Sequence, residues 1–334
     1  MIIYRIRRLA ARPALGSTAL AAAVLAAAVG CGSGSPSPSA KGTGPEQPDI
    51  TIAAIQSVTA TGLYIAQQRG YFTAQGLHVT IDSTVGSGAA IPDLVTGRVQ
   101  MVFGNYVSDI LAQASGVAKL RFLAAGNVSG PREQEVVVLP GSPITSPAGL
   151  RGKVIGVNAF NNIGTLMIGS VLAQYGVPAA AVHFVQIPFP DMAAALAAHR
   201  IDAGYMSDPF LVSARQKYNA RTLFDCDQGA VANIPISGYA VTSAWAASNP
   251  RTAAAFVRAL EKGQALADTN RAAVNSALTA YIGIPEKTAA QAAVGTFPVG
   301  RTVQAAPLQR LANLMQQAGL LEHPVDVTTM TGGG

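Results

Sequence analysis

Short apolar runs rich in β-branched residues alternate along this chain with stretches that carry helical periodicity. Nine runs predict strands, at 50–55, 78–81, 101–103, 120–124, 135–139, 154–157, 183–187, 203–206 and 239–242. Most of them stay apolar at successive positions, as strands do when both faces of a sheet are covered. Helical stretches lie between them, for example at 62–69, 91–96, 165–175 and 191–199. This alternation predicts an α/β fold with parallel sheets flanked by helices.

Two segments resemble each other and indicate two related lobes. Residues 94–103 read LVTGRVQMVF and residues 196–205 read LAAHRIDAGY, with Leu, Arg, a β-branched residue, a polar residue and an aromatic at matching offsets. Each predicts the end of a helix, a tight turn and a short buried strand. Chance likeness between two ordinary helix–turn–strand units is the alternative. From about residue 250 the pattern becomes purely helical, with apolar stripes over 251–267 and 307–318.

The first forty residues have the layout of an export signal. Residues 5–12 carry four arginines and no acid, and an Ala-rich apolar run follows at 13–30. A positive segment followed by an apolar one is typical of a secretory signal peptide. A transmembrane anchor is the alternative, but a run made mostly of Ala and Gly is weakly apolar for a membrane span. The Arg pair at 7–8 also permits twin-arginine export.

The apolar run ends directly before Cys31. The sequence Ala-Val-Gly-Cys resembles the lipobox of bacterial lipoproteins, with Ala28 standing where Leu is usual. The resemblance implies that residues 1–30 are a lipoprotein signal peptide and that Cys31 carries lipid, with ordinary signal cleavage as the alternative. Residues 31–48 are rich in Gly, Ser and Pro and predict a flexible tether. We therefore expect a protein anchored by lipid on the outer face of the cytoplasmic membrane.

The net charge does not predict a nucleic-acid partner once the signal is set aside. The whole chain has 23 Lys and Arg against 17 Asp and Glu, a formal charge of +6. Four of the arginines belong to residues 1–30, which hold no acid, so the remainder carries +2. So small a charge gives no reason to expect binding to a phosphate backbone. Cys226, the other cysteine, is interpreted as a small buried hydrophobe.

Five sequence blocks carry a family resemblance. They lie at 61–81, 94–103, 150–157, 194–209 and 249–256. The first reads TGLYIAQQRGYFTAQGLHVTI and the third LRGKVIGV. In this order the blocks resemble the solute-binding proteins of bacterial ABC importers, in the group that binds nitrate, taurine, alkanesulfonates and thiamine pyrimidines. Gln100 replaces the family's usual Asp and His199 its usual Gly.

The resemblance implies a type II periplasmic-binding-protein fold, in which two α/β lobes are joined by two crossover strands. On that basis we expect crossovers at 135–139 and 239–242, lobe 1 at 49–133 and 243–325, lobe 2 at 134–242 and a flexible C-terminal tail at 326–334. It also implies a monomer that captures a small polar solute and delivers it to an ABC permease and its ATPase. An organosulfonate, a nitrate-like anion or a pyrimidine-like heterocycle is the expected solute.

Two other functions stay open. A ligand-sensing protein of the same fold, acting with a membrane receptor, would show the same sequence pattern. Enzymes of thiamine-pyrimidine synthesis resemble the family too, but they carry a Cys-rich motif that this sequence lacks. The sequence also holds no His-Glu-x-x-His, Gly-x-Ser-x-Gly, Walker or Gly-x-Gly-x-x-Gly motif. We expect no enzymatic activity, no metal and no cofactor.

The loops that follow the predicted strands are the candidate site, because open α/β sheets bind ligands beyond the carboxyl ends of their strands. Ser, Thr, Asn and Gly are frequent there, and aromatic residues lie near. We expect the ligand to contact Thr59, Tyr64, Ser87, Asn105, Asn127, Phe160, Asn161, Asn162, Thr165 and Asp208. Helix N-capping is the alternative for each polar residue among them. The segment 161–165 is the strongest candidate, because a helix N-terminus offers free N–H groups and Gly164 permits close approach.

The predicted loops contain few charges. No Lys or Arg directly follows a predicted strand, and Arg132 comes nearest. N–H and hydroxyl groups would therefore have to hold an anion, and Asp208 would repel it. We expect a small polar ligand that is neutral or zwitterionic, with Asp208 accepting from an amine or a ring N–H. The alternative role of Asp208 is to cap the helix that Pro209 begins.

Overall fold

The computed structural model describes residues 44–298, 300 and 303–331. The predicted signal peptide, Cys31 and the tether up to residue 43 lie outside the described residues. The described residues form ten strands: β1 Asp49–Ile55, β2 His78–Thr84, β3 Met101–Asn105, β4 Leu120–Ala125, β5 Gln134–Val138, β6 Val154–Val157, β7 His183–Gln186, β8 Ala203–Ser207, β9 Arg221–Asp225 and β10 Ser237–Thr242.

Helices connect the strands and make up most of the chain beyond β10. They are α1 Thr61–Gln68, α2 Ser87–Val95, α3 Tyr106–Ala114, α4 Ile163–Gln174, α5 Phe189–Ala197, α6 Phe210–Tyr218, α7 Ser243–Ser248, α8 Pro250–Thr269, α9 Arg271–Ile282, α10 Glu286–Gln291 and α11 Ala305–Gln317. Short 3-10 turns complete the described chain.

The strands form two five-stranded sheets with the same plan. The first has the order β2-β1-β3-β10-β4 and the second the order β7-β6-β8-β5-β9. In each sheet four strands run in one direction, and one inserted strand, β10 or β5, runs antiparallel to both of its neighbours. We call the part built on the first sheet lobe 1 and the part built on the second lobe 2. The α/β fold with two similar lobes, predicted from the sequence, is confirmed.

The two predicted crossover strands are members of the sheets. Residues 135–139 overlap β5 in the second sheet, and residues 239–242 belong to β10 in the first sheet. The chain changes lobes just before each of them, in the segments 126–133 and 226–236, which we call the hinge segments. β10 therefore lies in lobe 1, although the expected range of lobe 2 included it, because its hydrogen bonds go to β3 and β4.

Apolar faces account for the packing of helices on sheets. Val136, Val137 and Val138 of β5 are all fully buried, as expected for a strand covered on both faces. The C-terminal helix α8 buries Phe256, Leu260 and Gly263 on one face, at helical spacing. That face packs against α1, so α8 covers lobe 1.

Both ends of the described chain are more ordered than the sequence predicts. In the segment predicted as the end of the tether, a carboxylate oxygen of Glu46 accepts from the N–H of Thr252 at 2.8 Å, and Gln47 Oε1 accepts from the indole N–H of Trp245 at 2.8 Å. In the segment predicted as a flexible tail, Val327 and Met330 are buried in the core. Polar and apolar contacts hold these residues, whereas 332–334 lie outside the described range.

Candidate functional site

A small cavity lies where the strand ends of the two sheets meet. Its volume is about 40 Å³, and we call it the cleft cavity. It is lined by Ile55, Ser57, Thr59, Gly86, Gly104, Asn105, Gln134, Asn158, Asn162, Ile163, Phe189, Tyr205, Ser207, Ile236 and Ser237. Both lobes contribute, and this is the position in which open α/β sheets bind ligands.

Four of the lining residues form two matched pairs at strand ends. Ser237, the first residue of β10, lies opposite Asn105, the last residue of β3. Gln134, the first residue of β5, lies opposite Ser207, the last residue of β8. Because β5 and β10 run antiparallel to their neighbours, their amino ends reach the edge at which the parallel strands end. Each lobe thus presents to the cavity one residue that ends a parallel strand and one residue that begins the inserted antiparallel strand.

Hydrogen bonds join the two lobes around the cavity. Oδ1 of Asn105 accepts from the N–H of Ile163 at 3.3 Å, and Nδ2 of Asn158 donates to the carbonyl of Val85 at 3.1 Å. The N–H of Val58 donates to the carbonyl of Asp208 at 3.3 Å. Three elements of lobe 1 are therefore linked to lobe 2, and the cavity is enclosed between them.

The lobe 2 wall is a continuous chain of polar contacts. Nδ2 of Asn162 donates to Oδ1 of Asn158 at 3.0 Å, and Oδ1 of Asn162 accepts from the N–H of Thr165 at 3.2 Å. The hydroxyl oxygen of Thr165 accepts from the N–H of Asn162 at 3.0 Å, which completes a capping box at the start of α4. Capping by Asn162 and Thr165, the alternative considered from the sequence, is thus present.

Gln134 and Tyr205 meet on the same wall. The hydroxyl of Tyr205 donates to Oε1 of Gln134, and both residues are buried. The ring of Phe189 packs at 5.9 Å from that of Tyr205. Nε2 of Gln134 is buried and has no hydrogen-bond partner among the described residues.

The lining carries no ionised side chain. Among the residues that line the cleft cavity there is no Lys, Arg, Asp, Glu or His. Burial raises the pKa of the Tyr205 phenol well above its ordinary value, with Cys226 and Glu133 adding to the shift. The cavity is therefore polar and neutral around pH 7.

Two carboxyl groups lie close to this wall without lining it. Oδ1 of Asp208 accepts from the N–H of Val212 at 3.1 Å, and Oδ2 accepts from the N–H of Ala293 at 2.6 Å. Burial raises the pKa of Asp208 to about 6, although these two N–H groups lower it. Glu133 accepts from Nδ2 of Asn127 at 2.9 Å, and burial raises its pKa to about 8. Oδ1 of Asp208 thus bonds the first turn of α6, but that helix begins at Phe210 with Pro209 at its N-cap position, so Asp208 lies one residue before the position that the capping alternative gave it.

The structure distributes the ten predicted ligand residues over three places. Those on the cleft cavity are Thr59, Asn105 and Asn162. Those buried behind it are Tyr64, Ser87, Asn127 and Asp208. Those on a wider surface groove are Phe160, Asn161 and Thr165. Their binding of a ligand stays a prediction.

The residues behind the cavity have structural partners. The hydroxyl of Tyr64 donates to the carbonyl of Ile55 at 3.1 Å, and its ring stacks on Tyr281 at 4.9 Å. Oγ of Ser87 donates to the carbonyl of Asn105 at 3.4 Å. The ring of Tyr205 lies where a Cβ atom of residue 164 would be. The absence of a side chain at Gly164 therefore makes room for Tyr205, whereas the sequence analysis expected room for the ligand.

The surface groove is larger than the cleft cavity. It has a volume of about 670 Å³ and runs between α4, α11 and the second hinge segment. Its walls are mostly apolar, with Leu166, Phe184, Leu314 and Leu320 among them. It lacks the convergence of strand ends and of both sheets that marks the cleft cavity, so its size alone does not make it the candidate site.

Several lining residues were not among the ten predicted. Ser57 and Asn158 follow strands and Ser207 ends one, so the rule that ligands bind beyond the carboxyl ends of strands also predicts these three residues. Gln134 and Ser237 begin strands, so a rule based on carboxyl ends misses them. Recognition that β5 and β10 are antiparallel insertions would have supplied the missing signal.

Neither a metal site nor a membrane span is found in the described part of the chain. Residues 44–298, 300 and 303–331 contain no group of three or more His, Cys, Asp or Glu placed to hold a metal ion. In the same ranges no helix is both long and apolar enough to cross a bilayer.

Solved structures share this architecture. The periplasmic aliphatic sulphonate binding protein SsuA of Escherichia coli is 19% identical, with a TM-score of 0.70 over 86% of this chain and 98% of that one. SsuA of Xanthomonas axonopodis pv. citri, an alkanesulfonate-binding protein bound to MOPS, is 19% identical, with a TM-score of 0.73 over 85% and 97%. The periplasmic nitrate-binding protein NrtA of Synechocystis PCC 6803 is 15% identical, with a TM-score of 0.74 over 86% of each chain. They establish the periplasmic-binding-protein fold.

Sequence comparison identifies the family. No curated protein matches this sequence. Residues 57–271, more than half of the 334, match the family described as NMT1/THI5 like. With the fold, this match confirms the group that the sequence blocks indicated. The chain belongs to the NMT1/THI5-like family.

Proposed function

We propose that this protein is the extracytoplasmic solute-binding component of an ABC importer. It captures a small polar solute in the cleft cavity and delivers it to the permease. The observation that carries the proposal is the cavity itself, which both lobes line at their strand ends and which hydrogen bonds such as Asn105 to Ile163 enclose. Two lobes joined by two hinge segments can open and close on a ligand.

The size of the cavity supports such a cycle. Ligand pockets have volumes of roughly 300–1,000 Å³, whereas the cleft cavity has about 40 Å³. The arrangement described here is therefore a closed one with room for few atoms. A solute enters when the lobes separate, and the lobes then close around it less far than in the arrangement described here, in which Asn158 bonds Val85 and Val58 bonds Asp208.

The chemistry of the lining favours capture over catalysis. A general acid or base needs a titratable group within hydrogen-bond reach of the substrate. Tyr205, with its raised pKa, is the titratable side chain on the described lining, and its hydroxyl already bonds Gln134. Hydroxyl and amide groups can orient a solute, but they offer no nucleophile–base pair.

The names of the structural relatives suggest which solutes to try. Two of them are sulfonate-binding proteins and one is a nitrate-binding protein, and the Escherichia coli and Synechocystis proteins are periplasmic. Together with the family match, they support an organosulfonate, a nitrate-like anion or a pyrimidine-like heterocycle as the class of solute. They also support a permease and its ATPase as partners.

A thermal-shift series tests the function. The full chain is heated with taurine, alkanesulfonates, nitrate or pyrimidines in turn. A solute present at one hundred times its Kd should stabilise the protein by about 2.7 kcal/mol, which is several degrees in Tm. Turnover of any of these compounds, with no shift by any of them, would reverse the assignment in favour of an enzyme.

The anchor needs its own test. We propose that Cys31 carries lipid and holds the protein on the outer face of the cytoplasmic membrane. Cys31→Ala should move the protein from the membrane fraction to the soluble fraction. The matched control is Ser33→Ala, which should stay with the membrane. Equal distribution of the two variants would contradict lipid attachment at Cys31.

A further inference from the structure

One buried donor on the cleft cavity has no hydrogen-bond partner within the part of the chain that the structure describes. Five side-chain atoms in the described part of the chain are buried without a hydrogen bond, on Asp109, Ser129, Gln134 and Asn275. Of these residues, Gln134 lines the cleft cavity. It is 2% exposed, and its Oε1 is occupied by the hydroxyl of Tyr205. A buried N–H without an acceptor lowers the stability of the fold, so such groups usually meet a partner.

Protein acceptors already use some of the neighbouring N–H groups. Oγ of Ser57 accepts from the N–H of Thr59 at 3.2 Å. Two of the N–H groups that open α4 are bonded to side chains, that of Ile163 to Asn105 and that of Thr165 to Asn162. Helix N-termini bind anions through free N–H groups and the positive end of the dipole. Here side-chain oxygens occupy the N–H groups of Ile163 and Thr165, so fewer N–H donors of α4 remain for an anion.

No charge in the lining could neutralise an ionic solute. The described lining residues include neither a cation for an anionic group nor a carboxylate for an ammonium group. Asp208, the nearest candidate for a carboxylate partner, has both oxygens bonded to backbone N–H groups. Burial of an unpaired ion is far more costly than burial of a neutral polar group that forms hydrogen bonds.

On the basis of the proposed function, we infer that the cleft cavity selects an uncharged solute. Nε2 of Gln134 donates a hydrogen bond to an acceptor atom of that solute, such as a carbonyl oxygen or a ring nitrogen. The Tyr205 hydroxyl fixes the orientation of the Gln134 amide by holding Oε1. Gln134 is therefore the residue that determines specificity for an acceptor, and of the three solute classes proposed above the cleft cavity prefers the uncharged, pyrimidine-like heterocycle to the two anions.

Fractionated extract tests the charge class of a solute whose identity is still open. The small-molecule fraction of a bacterial extract is passed over an anion exchanger and then a cation exchanger, and each pool is added to the full chain in a thermal-shift assay. The uncharged flow-through should raise Tm. If the anion or cation eluate alone raises Tm, the inference is wrong while the proposed function stands. If no pool raises Tm, both the inference about the charge class and the proposed solute-binding function are wrong.

Variants of Gln134 test whether its amide donates a hydrogen bond to the solute. Gln134→Met keeps the length of the side chain and removes its donor, and it should weaken the apparent affinity for the active pool by about tenfold or more. Gln134→Glu keeps an acceptor for Tyr205 but no amide donor, and it should weaken binding as well. Gln316→Met, on an exposed part of α11, is the matched control. Unchanged binding by a folded Gln134→Met protein would overturn the assignment.

Discussion

Oδ1 of Asn105 in lobe 1 accepts a hydrogen bond from the backbone N–H of Ile163 in lobe 2, at 3.3 Å. The same oxygen accepts from the N–H of Ser108 at 3.0 Å and so caps α3. One atom thus serves both the stability of lobe 1 and the contact between the lobes. This sharing connects the local sequence signal, an Asn before a helix, to closure of the cleft.

Asn105→Ala should remove both the N-cap of α3 and the hydrogen bond to Ile163 that joins the lobes. Loss of an N-cap costs about 0.5–2 kcal/mol of unfolding free energy, and loss of the Ile163 contact should favour the open form. Asn105→Asp keeps an acceptor at this position and should stay near the wild type in both respects. Urea denaturation measures the first effect and small-angle X-ray scattering the second. Equal compactness of the Ala and Asp variants would contradict the bridging role.

A methyl group at position 164 should disturb the cavity wall. A Cβ added to Gly164 would lie 2.5 Å from the ring of Tyr205, whereas one added to Gly169 in the same helix would meet Ala179 at 3.6 Å. Gly164→Ala should therefore destabilise the protein by about 1–3 kcal/mol, as overpacking does, and weaken solute binding. Gly169→Ala is the control and should gain up to about 1 kcal/mol in helix propensity. Similar denaturation curves for the two variants would refute the packing argument.

Asp208→Asn should act on stability more than on solute binding. The Asn amide can offer an oxygen to only one of the two N–H groups, of Val212 and Ala293, that the carboxylate serves. The unfolding free energy should fall by about 1–3 kcal/mol. The Kd for an uncharged solute should change by less than about threefold, because Asp208 does not line the cavity. Calorimetric titration separates the two effects, and a large loss of affinity in a stable variant would restore a binding role for Asp208.

Glu133 should make stability depend on pH. Burial raises its pKa from 4.5 to about 8, with the charges of Asp227 and Asp208 adding to the shift and the N–H of Gly130 and the amide of Asn127 opposing it. The folded state keeps a proton that the unfolded state releases. The resulting stability is fully present below about pH 4.5 and is lost as the pH rises towards about 8.

Glu133→Gln isolates this contribution. Each pKa unit corresponds to about 1.4 kcal/mol, so the wild type should lose on the order of 1–4 kcal/mol across this interval that the Gln variant keeps. Denaturation at several pH values measures the slope. Glu322→Gln, at an exposed carboxyl, should retain the wild-type slope. Parallel profiles for Glu133→Gln and the wild type would show that Glu133 does not titrate with folding.

The sequence predicts the buried parts of the fold well. All nine predicted strands are present, because continuous apolar runs mark strands that are covered on both faces. β9, Arg221–Asp225, was not predicted, since it lies at a sheet edge and mixes apolar with polar residues. α2 begins at Ser87, four residues before the prediction, because a Gly-Ser start carries no apolar periodicity.

The site is predicted only in part, for a topological reason. Asn105 and Asn162 were found because they follow parallel strands and begin helices. Gln134 was missed because it begins a strand, and only the antiparallel direction of β5 brings that end to the cleft. Phe160 was included because it lies near the right loop, yet it is 51% exposed and lies outside the cleft cavity.

Closure of the lobes on a solute is the central claim, and an interlobe distance tests it most directly. Ala89 of lobe 1 and Gln186 of lobe 2 are exposed and line the same groove at the mouth of the cleft. Spin labels on Ala89→Cys and Gln186→Cys, in a Cys31→Ser background, leave the buried Cys226 unlabelled. Addition of the solute pool that raises Tm should replace a broad, longer distance distribution by a narrow, shorter one. The same distribution with and without that pool would contradict the account.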